Sequence, residues 1–437
     1  MCRKRMSLRL RCSEHMNYKE VNDLEYTEDE MKDFYYTAVR MNTPVDYKVM
    51  REMSDSGLIS SHRQLYELAD MPAEYIDDYK ISDNARKKIH EWIENKGKVE
   101  KACEGYMNTA SQNGVFVLSV HSKWYPVNFR MLGGMPNVIY CKGRKDLIRK
   151  ASNQGTVAMV GSRNASSYAL YATESYSRDL SLRGITVVSG MALGVDRTAH
   201  LAALEGDGST IAVLAGGPDN IYPPDNRDLY RRIVESGLIL SEMPPGQQPL
   251  RQYFPSRNRL IAGLSDCTLV MEAGEYSGTL HTASFAAAQG KEVFVLPNNI
   301  YCENAIGGLR LLEDGCCVLY TVDNVIDSVS QAILCRKMEF PEFLDEEVEA
   351  APVMDIRQAD KNKLAELRVK ASKVPDEVTE DEWGLLIEDK LSVRPLDIDS
   401  LSGLLGLPFY RLSELLVGLQ LTGRVVLENG KYALTFF

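Results

Sequence analysis

Four short stretches of this chain combine small residues, hydroxyls and cations in ways that suit phosphate chemistry. Gly161-Ser162-Arg163 ends an apolar run, Thr156 to Val160. A glycine turn there presents backbone N–H groups, lets a phosphate come close, and Arg163 adds a planar fork of donors. Ser189-Gly190 ends a second run, Ile185 to Val188, and offers the same groups. Ser277-Gly278-Thr279 precedes a helix-like stretch, where the first amides can hold another phosphate. Phe254-Pro255-Ser256-Arg257-Asn258-Arg259 places two arginines, an asparagine and an aromatic ring side by side, which suits phosphate contact with base stacking. Each stretch also has a plain structural reading. A doubly wound sheet needs glycine turns, and the Phe254 stretch reads equally as a solvated loop entering a helix at Leu260 to Leu264. No acid occurs between Met243 and Ser265, and that favours the functional reading.

Other combinations are less productive. Asp196 and His200 stand four apart on a helix-like stretch, as a catalytic relay would. With no nucleophile or metal ligand nearby, a structural hydrogen bond is the simpler reading. Neither a Gly-x-x-x-x-Gly-Lys-Ser/Thr stretch nor a Gly-x-Gly-x-x-Gly at the first turn is present, which argues against P-loop hydrolysis and weakens a dinucleotide reading. The nine cysteines include no Cys-x-x-Cys pair, Cys316 and Cys317 are adjacent, and the six histidines are dispersed. No zinc site, disulfide framework or cofactor is expected, and a reducing cytoplasm fits best.

The elements that must position these residues follow from the pattern. Thr156 to Val160, Ile185 to Val188 and Thr210 to Leu214 each stop at a small-residue turn, and a helix-like stretch follows. That is the signature of an α/β fold, a mostly parallel, doubly wound sheet with crossover helices. Strands buried on both faces read as continuous apolar runs, and ligands bind beyond their carboxyl ends. Ile239-Leu240, Cys267 to Met271 and Glu292 to Leu296 read as further strands, and Asp225 as a helix cap. Leu311-Leu312 and Val318 to Tyr320 close this region.

Upstream, Thr27 with Glu30 forms a capping-box pattern, and Met31, Phe34, Tyr35 and Ala38 follow at helical spacing. We expect a small helical domain over residues 20–107 and the sheet domain over 108–333. Residues 334–382 turn acidic and proline-containing, and read as a linker with one helix near 360–371. Residues 383–437 give helix, helix and an Asn429-Gly430 hairpin, the order of a winged helix-turn-helix. Only Arg411 supplies a cation on its second helix, too few for a usual duplex reader.

With 437 residues, several domains are expected; 44% hydrophobic and 25% charged content is that of a globular protein. No apolar run is long enough to span a bilayer. The basic stretch from Met1 to Arg11 lacks the apolar core of a signal peptide and reads as a short tail, or as residues upstream of the true start. A net charge of −11 argues weakly against a nucleic-acid partner, but an acidic protein can carry a local basic groove.

Taken in order, several blocks resemble the DNA processing protein A family (DprA, also called Smf). They are Val160 to Arg163, Ser189 to Asp196 with Ala199-His200, Tyr222-Pro223, Ser241-Glu242, Phe254 to Gly263, Glu272-Ala273 and Ser277 to Leu280. Trp124-Tyr125-Pro126 and Ile139 to Gly143 fit the family's approach to its first strand. The resemblance spans about Val115 to Tyr320, and the flanking regions match only in layout, a SAM-like helical domain before and a winged helix after. It implies a Rossmann-like domain that binds single-stranded DNA and loads RecA recombinase onto it during natural transformation. It further implies a dimer through the sheet domain, no enzymatic activity, and a DNA pocket lined by Gly161 to Arg163 and Arg257 to Arg259. This chain has Leu193, Asn298 and Leu309 where the family usually has Arg, Gly and Asn; Asn298 is expected to keep its turn by accepting a left-handed backbone. The rival is an enzyme hydrolysing nucleoside monophosphates. Its signature places a catalytic Glu after the Gly-Thr pair, where this chain has Leu280-His281.

Overall fold

The continuous apolar runs become the strands of one sheet, and their residues alternate between its two faces. The computed structural model describes residues 26–72, 74–207, 209–344, 370, 378–391, 396–422, 424–428 and 431–434. The chain divides near residue 348 into two compact units.

In the first unit, helices α1 (Glu28–Asn42), α2 (Tyr47–Asp55), α3 (Leu65–Leu68), α4 (Glu74–Asp77), α5 (Asp83–Glu94) and α6 (Lys96–Gln112) precede the sheet. The capping box opens α1: Thr27 Oγ1 accepts from Glu30 N at 3.2 Å, and Glu30 returns a carboxylate oxygen to Thr27 N at 2.9 Å. The buried stripe of α1, including Phe34, Tyr35 and Ala38, shares one apolar cluster with Val117, Val138 and Tyr140 of the sheet. The helices therefore pack directly on the sheet's flank and share its core.

The strands are β1 (Phe116–Ser119), β2 (Val138–Gly143), β3 (Thr156–Gly161), β4 (Thr186–Ser189), β5 (Thr210–Leu214), β6 (Leu238–Ser241), β7 (Cys267–Glu272), β8 (Val293–Val295) and β9 (Cys317–Val318). Their order across the sheet is β1-β2-β6-β5-β4-β3-β7-β8-β9. From β6 to β9 every pairing is parallel, while β2 pairs antiparallel with both β6 and β1. The connecting helices are α7 (Val127–Arg130), α8 (Asp146–Gln154), α9 (Ser167–Leu182), α10 (Val195–Ala203), α11 (Arg227–Ser236), α12 (Tyr253–Leu264), α13 (Thr279–Ala288), α14 (Ile306–Glu313) and α15 (Val322–Glu339). Val157 and Met159 face α9, α10 and α15, whereas Ala158 and Val160 face α8, α12 and α13. Each fully buried aliphatic side chain in these layers contributes about 1.5–3 kcal/mol. Order of winding matters more for function. From β3 the chain runs through β4 and β5 to β6 on one side, then returns to place β7 on the other side of β3. The switch point lies between β3 and β7, where a crevice opens beyond the strand ends.

Some boundaries differ from the sequence reading. Residues 334–344 are not linker: α15 continues to Glu339 and a 3₁₀ turn follows. The reason is a buried ion pair, Arg336 with Asp266, both nearly inaccessible. Asp266 also accepts from Thr156 N at 2.9 Å, so α15 is tied to the start of β3. Leu311 and Leu312 are helical, within α14. Asp225 lies in a 3₁₀ turn, and Asn226 stands at the N-cap of α11.

The second unit contains helices Glu380–Leu391, Ile398–Leu405 and Phe409–Leu421 and an antiparallel pair, Val425–Glu428 with Lys431–Leu434. Trp383, Leu401, Leu412 and Leu416 form its core. The basic N-terminal tail, most of the expected helix near 360–371 and the Asn429-Gly430 turn lie outside the described residues.

Candidate nucleic-acid interface

The turn after β3 is shaped by what packs behind it. A side chain at Gly161 would strike Val195 of α10, its Cβ 2.6 Å from Cγ2, so glycine is required by close approach. Gly194 has φ +72° and abuts the carbonyl oxygens of Ser162 and Arg163. Val195 N donates to Ser162 O at 3.2 Å. The turns after β3 and β4 are thus locked together. Ser162 Oγ accepts from Asn164 N at 3.2 Å, which holds the loop open beyond Gly161.

This turn forms one wall of an open cleft of about 400 Å³ at the switch point. A second wall is Ser277, Gly278 and Thr279 at the start of α13, and Phe254, Arg257 and Asn258 of α12 supply a third side. Asn258 connects two of them. Its Oδ1 accepts from Arg257 Nε at 3.1 Å and its Nδ2 donates to Gly278 O at 3.4 Å. Thr279 N donates to Ser277 Oγ at 3.2 Å, and Leu280 N and His281 N to the carbonyls of Ser277 and Gly278, so among these residues the Gly278 amide and the helix dipole are what favour an anion there. A Cβ at Gly278 would meet nothing within 4 Å, so this glycine leaves open space facing the cleft.

The cations divide into different roles. Arg163 is exposed at the cleft, and its guanidinium makes no hydrogen bond or ion pair among the described residues. Arg257 is buried, only 8% exposed, with Nη1 donating to Gly190 O and Val213 O at 2.6 Å each. Its Nη2 has no hydrogen-bond partner among the described residues. Burial pushes the Arg257 pKa down to about 10, Asp196 opposes the shift, and Arg163 adds to it. Arg259 does not line the cleft; it pairs with Glu242, which also holds Arg40 of α1 at 3.3 Å. Sequence spacing could not foresee this, because the acid arrives from beyond β6.

Ser189 and Gly190 also differ from the expectation. Ser189 Oγ is buried and donates to Met159 O at 2.6 Å. The amides of Gly190 and Ala192 are used by Asp196 Oδ2, at 3.1 and 3.2 Å. Between them Met191 has φ +63°, a costly conformation for a non-glycine residue. Asp196 and Asn226, which donates to Met191 O at 2.8 Å, hold it in place. The turn after β4 therefore builds the cleft from behind, and Asp196 reaches the cleft surface. Burial raises the Asp196 pKa, while Arg257 and the two amides counter it. His200 does not pair with Asp196; its Nδ1 meets Thr210 Oγ1 at 2.7 Å.

Some lining residues were not legible in the sequence. Asn304, in the 3₁₀ turn just before α14, lines the cleft and donates to Asn164 O at 3.2 Å. The positive-φ non-glycine residues among those described are Met191 and Ser209, so Asn298 keeps its turn without a left-handed backbone. Its Nδ2 instead donates to the buried Glu272 at 3.2 Å.

Comparisons with known proteins match the same span of the chain. The family model for DNA recombination-mediator protein A matches residues 116–330, the span of the sheet and its cleft. A DNA processing protein DprA of Bacillus subtilis is 32% identical over 220 residues, covering 50% of this chain and 73% of that one. A protein Smf of Synechocystis is 42% identical over 205 residues, covering 47% of this chain and 52% of that one. The X-ray structure of DprA from Streptococcus pneumoniae, 26% identical, superposes with a TM-score of 0.53 and covers 70% of this chain and 98% of that one. The match of site-bearing sheet, relatives and solved fold places this chain in the DNA recombination-mediator protein A family, the DprA/Smf family.

Proposed function

We propose that the cleft at the β3/β7 switch point binds single-stranded DNA, without base-sequence preference. The observation that carries this reading is Arg163, an exposed guanidinium with no partner among the described residues, at a cleft walled by the Ser162 turn and the start of α13. Phosphates sit against Arg163, the amides of the Ser162 turn and the Gly278 amide before α13, and a base lies against Phe254. Only an unpaired strand offers its base faces in this way. Titration of a labelled single strand and the matching duplex across salt tests it. We expect tighter binding of the single strand, with a log–log salt dependence; equal affinity for duplex would sink the reading.

The chain binds rather than hydrolyses. Among the described residues the carboxylate lining the cleft is that of Asp196, and one of its oxygens is already engaged by two backbone amides. Release of free base from nucleoside monophosphates would argue for the enzyme instead. By the family's layout we read the chain as a cytoplasmic partner of RecA recombinase, loading it on incoming DNA, and as a homodimer through the sheet unit. Among the described residues no helix is long and apolar enough to cross a membrane. We read the second unit as winged-helix-like and as a protein-contacting module. Its helix Phe409–Leu421 leaves Tyr410, Val417 and Leu421 exposed rather than a row of cations.

A further inference from the structure

The cleft does not end at Phe254. The Tyr222 ring meets the Phe254 ring edge to face, with centroids 5.6 Å apart at 64°. Arg257 lies 5.8 Å from the same Phe254 ring, so guanidinium, phenyl and phenol form a row leading out of the cleft. Tyr222 remains 46% exposed, and its hydroxyl has no partner among the described residues. A tyrosine kept for packing looks different here: Tyr230, for example, is buried and donates to Pro218 O at 2.5 Å.

The loop that carries Tyr222 is tied down on both sides. Gly217 N donates to Gln247 O at 2.7 Å and Asn220 Nδ2 to the same oxygen at 3.1 Å. Beyond it, Asn226 anchors to Met191 O. A ring already held in place loses little freedom when a ligand stacks on it. On the opposite rim Tyr276 is 94% exposed and makes no ring contact among the described residues, so it lacks this preparation.

We propose that Tyr222 is a second base-stacking residue, which carries the bound strand out of the cleft past Phe254. The inference rests on the reading of the cleft as a single-stranded DNA site. A stacked base needs a flat apolar face, and the fixed, half-exposed ring supplies one without regard to base identity.

The test uses the full chain with Tyr222→Ala, Tyr222→Phe and Arg163→Ala, titrated by anisotropy with a homothymidine oligonucleotide at several salt concentrations. Tyr222→Ala should weaken binding about tenfold, as loss of one stacked base does, and leave the salt slope unchanged. Tyr222→Phe should bind like wild type, because the ring face and not the hydroxyl makes the contact. If Tyr222→Ala lowers the melting temperature, Tyr222→Leu keeps apolar packing on Phe254 without a π face and should show the same loss. Wild-type affinity in Tyr222→Ala or Tyr222→Leu, alongside weakened Arg163→Ala, overturns the stacking role and leaves the cleft standing. Equal weakening by Tyr222→Phe overturns it too. A wild-type chain that binds no single strand overturns both.

Discussion

Arg257, on α12, donates through Nη1 to the carbonyl oxygen of Gly190 at the end of β4, 2.6 Å away. The same nitrogen reaches Val213 O in β5, so one guanidinium bridges two neighbouring strand ends from above. A Cβ on Gly190 would fall 2.6 Å from that nitrogen, which shows how closely the two fit. The arginine closes the floor of the cleft, and its contribution to DNA binding comes after its contribution to the fold.

Arg257→Ala should therefore destabilise the protein as well as weaken binding. It strands two buried carbonyl oxygens and removes the charge that opposes Asp196. The cost is about 2–3 kcal/mol, that of breaking charge-assisted buried hydrogen bonds. Urea unfolding measures it. An unchanged midpoint would mean that water replaces the guanidinium at no cost.

Arg163→Ala should behave in the opposite way. Its side chain is exposed and has no partner among the described residues, so the unfolding free energy should stay within about 0.5 kcal/mol of wild type. Binding to a mixed-sequence single strand should weaken, and the salt slope should fall by about 0.7 for the lost phosphate contact. Arg411→Ala, in the second unit, should change neither. A folded Arg163→Ala protein with wild-type affinity and slope would remove the groove.

Two glycines separate structural from binding roles. Gly194→Ala puts a Cβ against the Ser162 and Arg163 carbonyls at φ +72°, and should lower the melting temperature markedly. Gly278→Ala meets open space and should leave stability unchanged. Its methyl narrows the anion site at the start of α13, so it should weaken DNA binding alone. Differential scanning fluorimetry paired with anisotropy reads both effects.

Acid should act through His200. Burial pushes its pKa down to about 3, and the Arg257 charge adds to the shift. The unfolded chain has an ordinary imidazole near about 6.5. As pH falls from about 6.5 towards 3, the unfolded state takes up a proton that the folded state refuses. The stability that this neutral histidine contributes is complete above about pH 6.5 and is lost below it, by about 1.4 kcal/mol per pH unit. Unfolding curves between about pH 4 and pH 7 should show a shallower slope in His200→Gln than in wild type. Equal slopes would place the titration elsewhere.

Much of the architecture was legible in the chain itself. Thr156 to Val160, Ile185 to Val188 and Thr210 to Leu214 are strands because β-branched runs buried on both faces have few other uses. The glycine turns marked where the cleft would open, and Thr27 with Glu30 marked the start of α1. These are local signals, carried by residues adjacent in sequence or one helical turn apart.

The sequence could not assign the arginines. Arg257 and Arg259 are two residues apart and chemically identical, yet one holds strand-end carbonyls and the other pairs with Glu242. Which partner each finds depends on the order β6-β5-β4-β3-β7, which brings Gly190, Val213 and Glu242 beneath α12 from three different strand ends. The same order placed Ser189 and Gly190 behind the cleft, with Asp196 using the Gly190 and Ala192 amides, and brought Asn304 and Asp196 into it. Strand order is settled by long-range pairing and packing, and a charged side chain takes whichever acceptor that packing buries beside it. Local composition names the groups able to bind a phosphate; tertiary structure decides which of them remain free to do so.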